Sequence, residues 1–599
     1  MKKVLQVLLV LLLSLSLFAC SNKSEAGLYK AGTYTAQGQG RNGDITVEVE
    51  FSSDEIKSVV VKEHGETAGI SDGAISDIPE AIVEGQTLAV DVVAGATYTS
   101  NGIIEAVKKC VEQAGGDVDS LLSNVKEKEY TNVEKSADVV VVGGGAAGLA
   151  ATLRLQELGK NVILVEKASY LGGAISVSGG NQVVMGSKLQ AEAGVSDDSV
   201  ELMVEDFKKN GANLNNEEIL TVFAENVGAT TDWLHENMNV DFDMEGGLHQ
   251  LGEYSKNREL AYVGGGAGVA EVLRSDIDAS GAEVLLNTRA EELIVENGAV
   301  KGVKAVSNDG YTTYTISAEN VVLCTGGYGN NSDLLTDELN NSLYYGCETS
   351  TGDGIIMAEA VNAKLANMQY GKRYPNGIEV APGQAKSTIA GNIAGWTMSA
   401  ILVNKEGSRV VNEKASNRTI LETEITQTDS MLYLLLDEET FEVWKTKLAA
   451  AGITEDNIND YLENNGSTTP VFYHAETIAE LEKLAGMEEN ALAKTVEKYN
   501  SFVANGEDTD FGRSADYLKK EIGDGPYYLI EQKPRFATTM GGLVINEKMQ
   551  VLNQNDEVIT GLYAAGETCG QVMGDDSPSG ANNAWALTSG KLAAEAIAE

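Results

Sequence analysis

Three stretches of this 599-residue chain bring together residue types that can hold a phosphate or move a proton. The first is Ala94-Gly95-Ala96-Thr97-Tyr98-Thr99-Ser100, small and hydroxyl-bearing residues just before Ile103, Val107 and Val111, which mark one helical face. A loop entering a helix N-terminus offers free backbone N–H groups and a favourable dipole to a phosphate, and Thr97 supplies an oxygen that can be esterified to one. In the second, Asp138-Val139-Val140-Val141-Val142 runs into Gly143-Gly144-Gly145-Ala146-Ala147-Gly148, followed by a helical pattern to Leu158, a strand at Val162–Val165 and Glu166. Strand, glycine turn, helix, strand and a terminal acid form a dinucleotide fingerprint. Gly143 serves the turn, Gly145 the approach to a pyrophosphate, Gly148 the close packing of the helix, and Glu166 the ribose hydroxyls. The third comprises Lys372-Arg373-Tyr374, Arg409 and Arg418, cations and a phenol that can bind a carboxylate or donate a proton.

Elements that position these groups are legible around them. Ile45, Val47, Val49 and Phe51 alternate with polar residues as in a half-buried strand, Asp54-Glu55 reads as a turn, and Ile56 to Val61 as the returning strand. Ser100 reads as the cap of the helix that follows. A polar linker spans 116–135. Gly264-Gly265-Gly266-Ala267-Gly268 lacks the third fingerprint glycine and shows no strand before it, so it reads as a decoy.

Tyr29-Lys30-Ala31-Gly32-Thr33-Tyr34, His64-Gly65-Glu66-Thr67 and Asp91 to Ser100 resemble the FMN-binding domain shared with flavinylated subunits of sodium-pumping quinone reductases. The resemblance implies a phosphoester-linked FMN on Thr97, attached by a flavin transferase; Ala94 stands where relatives more often have Ser. Gly172-Gly173-Ala174 through Ser178-Gly179-Gly180, Val322 to Gly329 with Thr325 and Gly326, Thr351-Gly352-Asp353-Gly354, and Gly561 to Glu567 resemble the fumarate reductase and succinate dehydrogenase flavoprotein superfamily. That resemblance implies non-covalent FAD, held by these residues with Asn582, and makes Glu567 a contact near the ribityl chain.

Over the whole chain the resemblance is to secreted, flavin-linked fumarate and urocanate reductases. It implies a multidomain α/β and α+β protein: a small FMN-binding α+β domain (29–115), then a Rossmann-like FAD domain (136–376 and 534–599) with an inserted α+β capping domain (377–533). No nicotinamide site is evident, so electrons are expected from a quinol- or flavin-linked membrane donor through FMN to FAD. Ile401 to Glu413 resembles the stretch before the family's proton-donating arginine, which makes Arg418 the nearest counterpart, with Arg409 in the same run and Tyr374 a second candidate acid. The chain departs from the family at Thr538, where a histidine is usual, at Tyr374, where another maps, and near Ser577-Pro578-Ser579-Gly580, which lacks the substrate-clamping arginine. Fumarate therefore fits poorly. A monocarboxylic enoate, aryl-substituted or not, or a neutral enone such as a steroid remain as substrates of C=C reduction. An electron-relay protein that reduces iron or quinones is the alternative of another class, disfavoured by the inserted cap.

The net charge of −45 excludes a nucleic-acid partner, since a phosphate backbone would be repelled. Lys2 and Lys3 precede an apolar run from Val4 to Phe18, a targeting segment (1–19) too short to span a bilayer comfortably. Leu17-Phe18-Ala19-Cys20-Ser21 resembles a bacterial lipobox, with Cys20 lipidated and 20–28 a tether; Phe18 is larger than usual there, and an ordinary secreted protein is the other reading. An extracytoplasmic protein touching the membrane only by its lipid is expected. The five cysteines show no metal or haem spacing, and buried free thiols are expected.

Overall fold

The computed structural model describes residues 27–125, 129–249 and 251–599; the targeting segment and Cys20 lie outside them. The chain divides into two units, residues 1–128 and 129–599.

The first unit is a three-stranded antiparallel meander, Gly32–Gln39, Asp44–Phe51 and Ile56–Glu63, covered by the helices Asp72–Gly85 and Thr97–Gln113. The alternating residues Ile45, Val47, Val49 and Phe51 are all buried, and Ile103, Val107 and Val111 close the same core. Two boundaries differ from expectation. The helix begins at Thr97 rather than after Ser100, whose hydroxyl is buried and donates to Ala96 O at 3.0 Å. A helix at Val118–Ser123 occupies part of the stretch read as linker: Asp117 caps it by accepting the Ser120 N–H, and buried Leu121 accepts the Leu88 N–H at 3.1 Å.

In the second unit a largely parallel sheet places Val558–Ala564, Thr312–Leu323, Thr131–Val142, Val162–Val165 and Glu283–Leu285 side by side. Both faces are covered, which is why Val139–Val142 can be a continuous apolar run. The first strand starts at Thr131, so its opening residues belong to this sheet and not to a linker. A second sheet is built around the strand Tyr527–Thr539, which pairs antiparallel with Gly371–Ala381 on one side and Leu432–Asp437 on the other. The expected cap boundaries at 376/377 and 533/534 therefore fall inside strands that run from the capping layer into the FAD-type body. Four cysteines are free; Cys110, Cys324 and Cys569 are buried and Cys347 is half-buried.

The cap is pinned by a buried ion network. Arg409 donates to both carboxylate oxygens of Glu413 and to Asp508, each at 2.8 Å. Arg513 donates to Glu413 at 3.1 Å and to the carbonyls of Ala400 and Trp396. Glu413 balances two buried guanidinium groups, and removing one partner of such a set exposes uncompensated charge. Glu413→Ala is expected to cost the cap about 3–5 kcal/mol, read as an earlier denaturant midpoint in the fluorescence of Trp396 and Trp444.

Candidate active site

The dinucleotide cradle follows from one close approach. The strand Thr131–Val142 turns at Gly143 into the helix Ala146–Glu157, and a Cβ on Gly148 would lie 1.8 Å from Gly143 O. Only glycine lets the helix sit there. Gly145 is the N-cap without any side-chain cap, so the N–H groups of the first turn, including that of buried Ala147, remain for an anion. The space beside Gly145 is open, with Gly172 O at 3.9 Å the nearest atom to a Cβ built there.

Glu166 is buried at the end of the second strand and accepts the Gly144 and Ala168 N–H groups at 2.6 and 2.7 Å. Burial pushes its carboxyl up. Gly172 bonds back to Gly144 O at 2.8 Å and opens a short helical turn, Gly173–Val177, that includes Ala174. Beyond it the Ser178 hydroxyl accepts from Gly180 N and Asn583 Nδ2, while a Cβ built on Gly179 would meet no atom within 4 Å.

The Gly264–Gly268 cluster is not a decoy. A short strand, Glu259–Ala261, precedes it and pairs with Asn181–Val183, and a Cβ on Gly266 would lie 2.0 Å from Ile175 O. The cluster thus forms a wall of the cradle, a close approach that single-chain motif spacing does not reveal.

At the far end Thr325 and Gly326 meet Thr568, whose hydroxyl donates to Gly326 O at 3.3 Å. Glu567 accepts the N–H and hydroxyl of Thr539 at 2.8 and 3.0 Å, and burial pushes its pKa up to about 7. Asn582 donates to Ser577 Oγ at 3.0 Å. Asp353 is committed to Lys167 and Arg289, each at 2.7 Å; burial opposes its charge, yet these two cations hold its pKa below the ordinary value. An uncapped helix, open glycine faces and converging polar groups fit an extended dinucleotide such as FAD.

In the first unit, Thr99 donates its hydroxyl to Glu66, and Ser100 is committed to Ala96 O and Val93 N. Among the described residues nothing hydrogen-bonds the hydroxyl of half-buried Thr97, which stands at the start of a helix without a side-chain cap. That arrangement fits a phosphate-bearing group at Thr97.

The substrate-side candidates gather on one loop. Lys372 Nζ donates to Ser577 O and lies 3.8 Å from Asp576. Burial opposes the charge of Lys372, but Tyr374, Asp576 and Glu253 more than offset it and hold its pKa above the ordinary value. Arg418 reaches the same loop from the helix Asn417–Glu424, donating to both oxygens of Asp575 at 3.1 Å and to Asn210 O at 2.9 Å, with Asp576 at 3.8 Å. The Asp575 hydrogen bonds raise its pKa, so this pairing must open before Arg418 can release a proton.

Arg409 does not join them. Its guanidinium is bonded to Glu413 and Asp508 inside the cap, with its pKa raised despite burial, so its assignment as catalytic is corrected to a structural one. Arg373 pairs with Glu338 instead. Sequence reasoning passed over Arg535 and Glu424. Arg535 lies directly opposite Tyr374 in the sheet register and stacks on it, 4.8 Å from the ring centre. Its signal was an arginine inside a strand, four residues before the first residue of the Thr-Met-Gly-Gly run.

A model of the FAD binding domain matches residues 138–583, and one of the FMN-binding domain matches residues 40–112. Urocanate reductase of Eggerthella lenta is 33% identical over 94% of this chain and 92% of its own. NADH:acrylate oxidoreductase of Vibrio harveyi is 30% identical over 95% of this chain and 61% of its own length. The chain belongs to the fumarate and urocanate reductase-like flavoprotein family. The open conformation of a flavocytochrome c3 fumarate reductase is 30% identical, with a TM-score of 0.64 over 78% of each chain. As a family member the protein is an FAD-dependent oxidoreductase acting on C=C bonds, with FAD- and FMN-binding domains in one chain.

Because Glu567 has its pKa raised on folding, the stability it lends is full below the ordinary carboxylate range and is lost as pH rises through about 7. The melting temperature of the apoprotein should therefore fall between pH 5 and 8, and Glu567→Gln should flatten that part of the profile.

Proposed function

We propose that this is an extracytoplasmic, lipid-anchored reductase that saturates an activated C=C bond of an enoate with electrons drawn from a membrane donor. The observation that supports an enoate is the convergence of Lys372 and Arg418 on the Asp575–Ser577 loop, beside Tyr374. Two cations at one loop favour a substrate anion over a neutral enone, and the relatives named for urocanate and acrylate point the same way. When bound, FMN on Thr97 supplies single-electron transfer from a quinol- or flavin-linked donor, and FAD supplies a hydride to the substrate β-carbon.

The chain's own residues do the rest. Lys372 and Tyr374 hold the substrate's polar end. The helix carrying Arg418 lies in the cap, so closing the cap brings its guanidinium onto the α-carbon while excluding water. Asp575 and Asp576 sit where a proton can be returned to Arg418, and burial pushes the Asp576 carboxyl up while Lys372 opposes that shift. Asp575 and Asp576 thus form the relay behind Arg418.

Two outcomes test the scheme. After co-expression with a flavin transferase, intact-mass spectra should show one FMN on the mature protein and none on Thr97→Ala, which should retain turnover with a reduced dye but lose turnover through the membrane donor. Arg418→Ala should keep FAD and its reduction by dye, while the oxidative half-reaction slows about 10²–10⁴-fold. Normal turnover in Arg418→Ala would move the acid to Tyr374, with Tyr374→Phe then showing the loss.

A further inference from the structure

Arg535 is 4% exposed, yet it is matched differently from the other buried arginines. Arg258 pairs with Asp198 and Asp206, Arg409 with Glu413 and Asp508, and Arg513 with Glu413. Among the described residues no carboxylate forms an ion pair with Arg535. Its Nε and Nη2 donate to the neutral oxygens of Asn376, at 2.9 and 2.6 Å to the side chain. The rings of Tyr345 and Tyr374 stack on it with centroids at 4.2 and 4.8 Å.

A buried guanidinium served only by amide oxygens and π faces retains a fork, Nη1 with the outer hydrogen of Nη2, shaped for a carboxylate. Glu424 feels its charge, is 0% exposed and has no hydrogen bond on either carboxyl oxygen. Burial pushes Glu424 up, against the opposing pull of Arg535, and the two form no ion pair. A buried cation without an anion beside a buried carboxyl without a partner marks a place that a polar ligand completes.

Resting on the enoate reading above, we infer that Arg535 is the receptor for the substrate's carboxylate and that the substrate is a flat monocarboxylate with an uncharged substituent. Lys372 already has Asp576 and Glu253 around it, so a second carboxylate would meet like charge there. Tyr345 and Tyr374, whose rings stack on Arg535, flank the anion it would hold with flat, uncharged walls.

The test uses the flavin-loaded full chain, a reduced dye, and 3-phenylacrylate, its amide, acrylate and fumarate. A second readout is the shift of the bound-flavin spectrum on titration with benzoate and 3-phenylpropanoate, which needs no turnover. Wild type should prefer the phenyl acid over fumarate and over its own amide. Arg535→Gln should raise KM for the acid and Kd for benzoate about 30- to 150-fold, leave the amide nearly unchanged, and so abolish the acid-over-amide preference; Arg535→Lys should restore part of it. Flavin content and melting temperature report folding separately. Unchanged acid and benzoate binding in folded Arg535→Gln would overturn the inference while leaving the C=C reductase reading standing. Failure of wild type to reduce any of the four, with benzoate binding lost in Arg535→Gln, would overturn the enoate reading and keep the anion receptor.

Discussion

The strand Tyr527–Thr539 is the constraint on which the crevice depends. It pairs with Gly371–Ala381, Leu432–Asp437 and Phe472–Ala475, so the capping layer is hydrogen-bonded to it along most of its length. Its last residue, Thr539, is held by Glu567 in the FAD-type body. A cap attached in this way moves about a shared backbone and not about a loose linker. The ladder also fixes which side chains meet: the register that sets Tyr374 opposite Arg535 is the register that sends Lys372 toward Ser577.

Another cap-to-body contact is of a different kind. Arg418 reaches Asn210 and Asp575 from a short helix and is about two-fifths exposed. An exposed ion pair contributes little to stability, on the order of 1 kcal/mol or less. It can therefore open and close with the cap, whereas the buried Arg409–Glu413–Arg513 set cannot be opened without leaving charge stranded. The same residue type serves as brace in one place and as movable group in the other, and burial decides which.

Most of the fold was legible because its signals are local. The Ile45–Phe51 alternation, the fingerprint from Asp138 to Glu166 and the hydroxyl-rich entry to the helix at Thr97 each declare themselves within about thirty residues. What was not legible is long-range. Gly266 lies against Ile175, some ninety residues earlier, and the cap boundaries fall inside strands because pairing with distant strands carries them past the change in composition. Arg409 and Arg418 sit nine residues apart in one polar run, and only the tertiary partners Asp508 and Asp575 separate the buried arginine from the half-exposed one. Arg535 was invisible for the same reason, since its environment is made by Asn376, Tyr345 and Tyr374 on other strands.

A protein with a net charge of −45 must overcome its own field to bind an anion. At physiological ionic strength the field of a surface charge decays over about 8 Å, so distant carboxylates count for little inside the crevice. A buried guanidinium is not screened in this way, and its attraction persists at low effective dielectric. One receptor charge, shielded from the surface and flanked by phenol rings, selects a flat monoanion from solution; a neutral ligand gains nothing from it, and a dianion places its second charge against Asp576. Recognition of this kind needs no histidine and no arginine on the 577–580 loop, because the cation is supplied from the middle of the strand that joins cap to body.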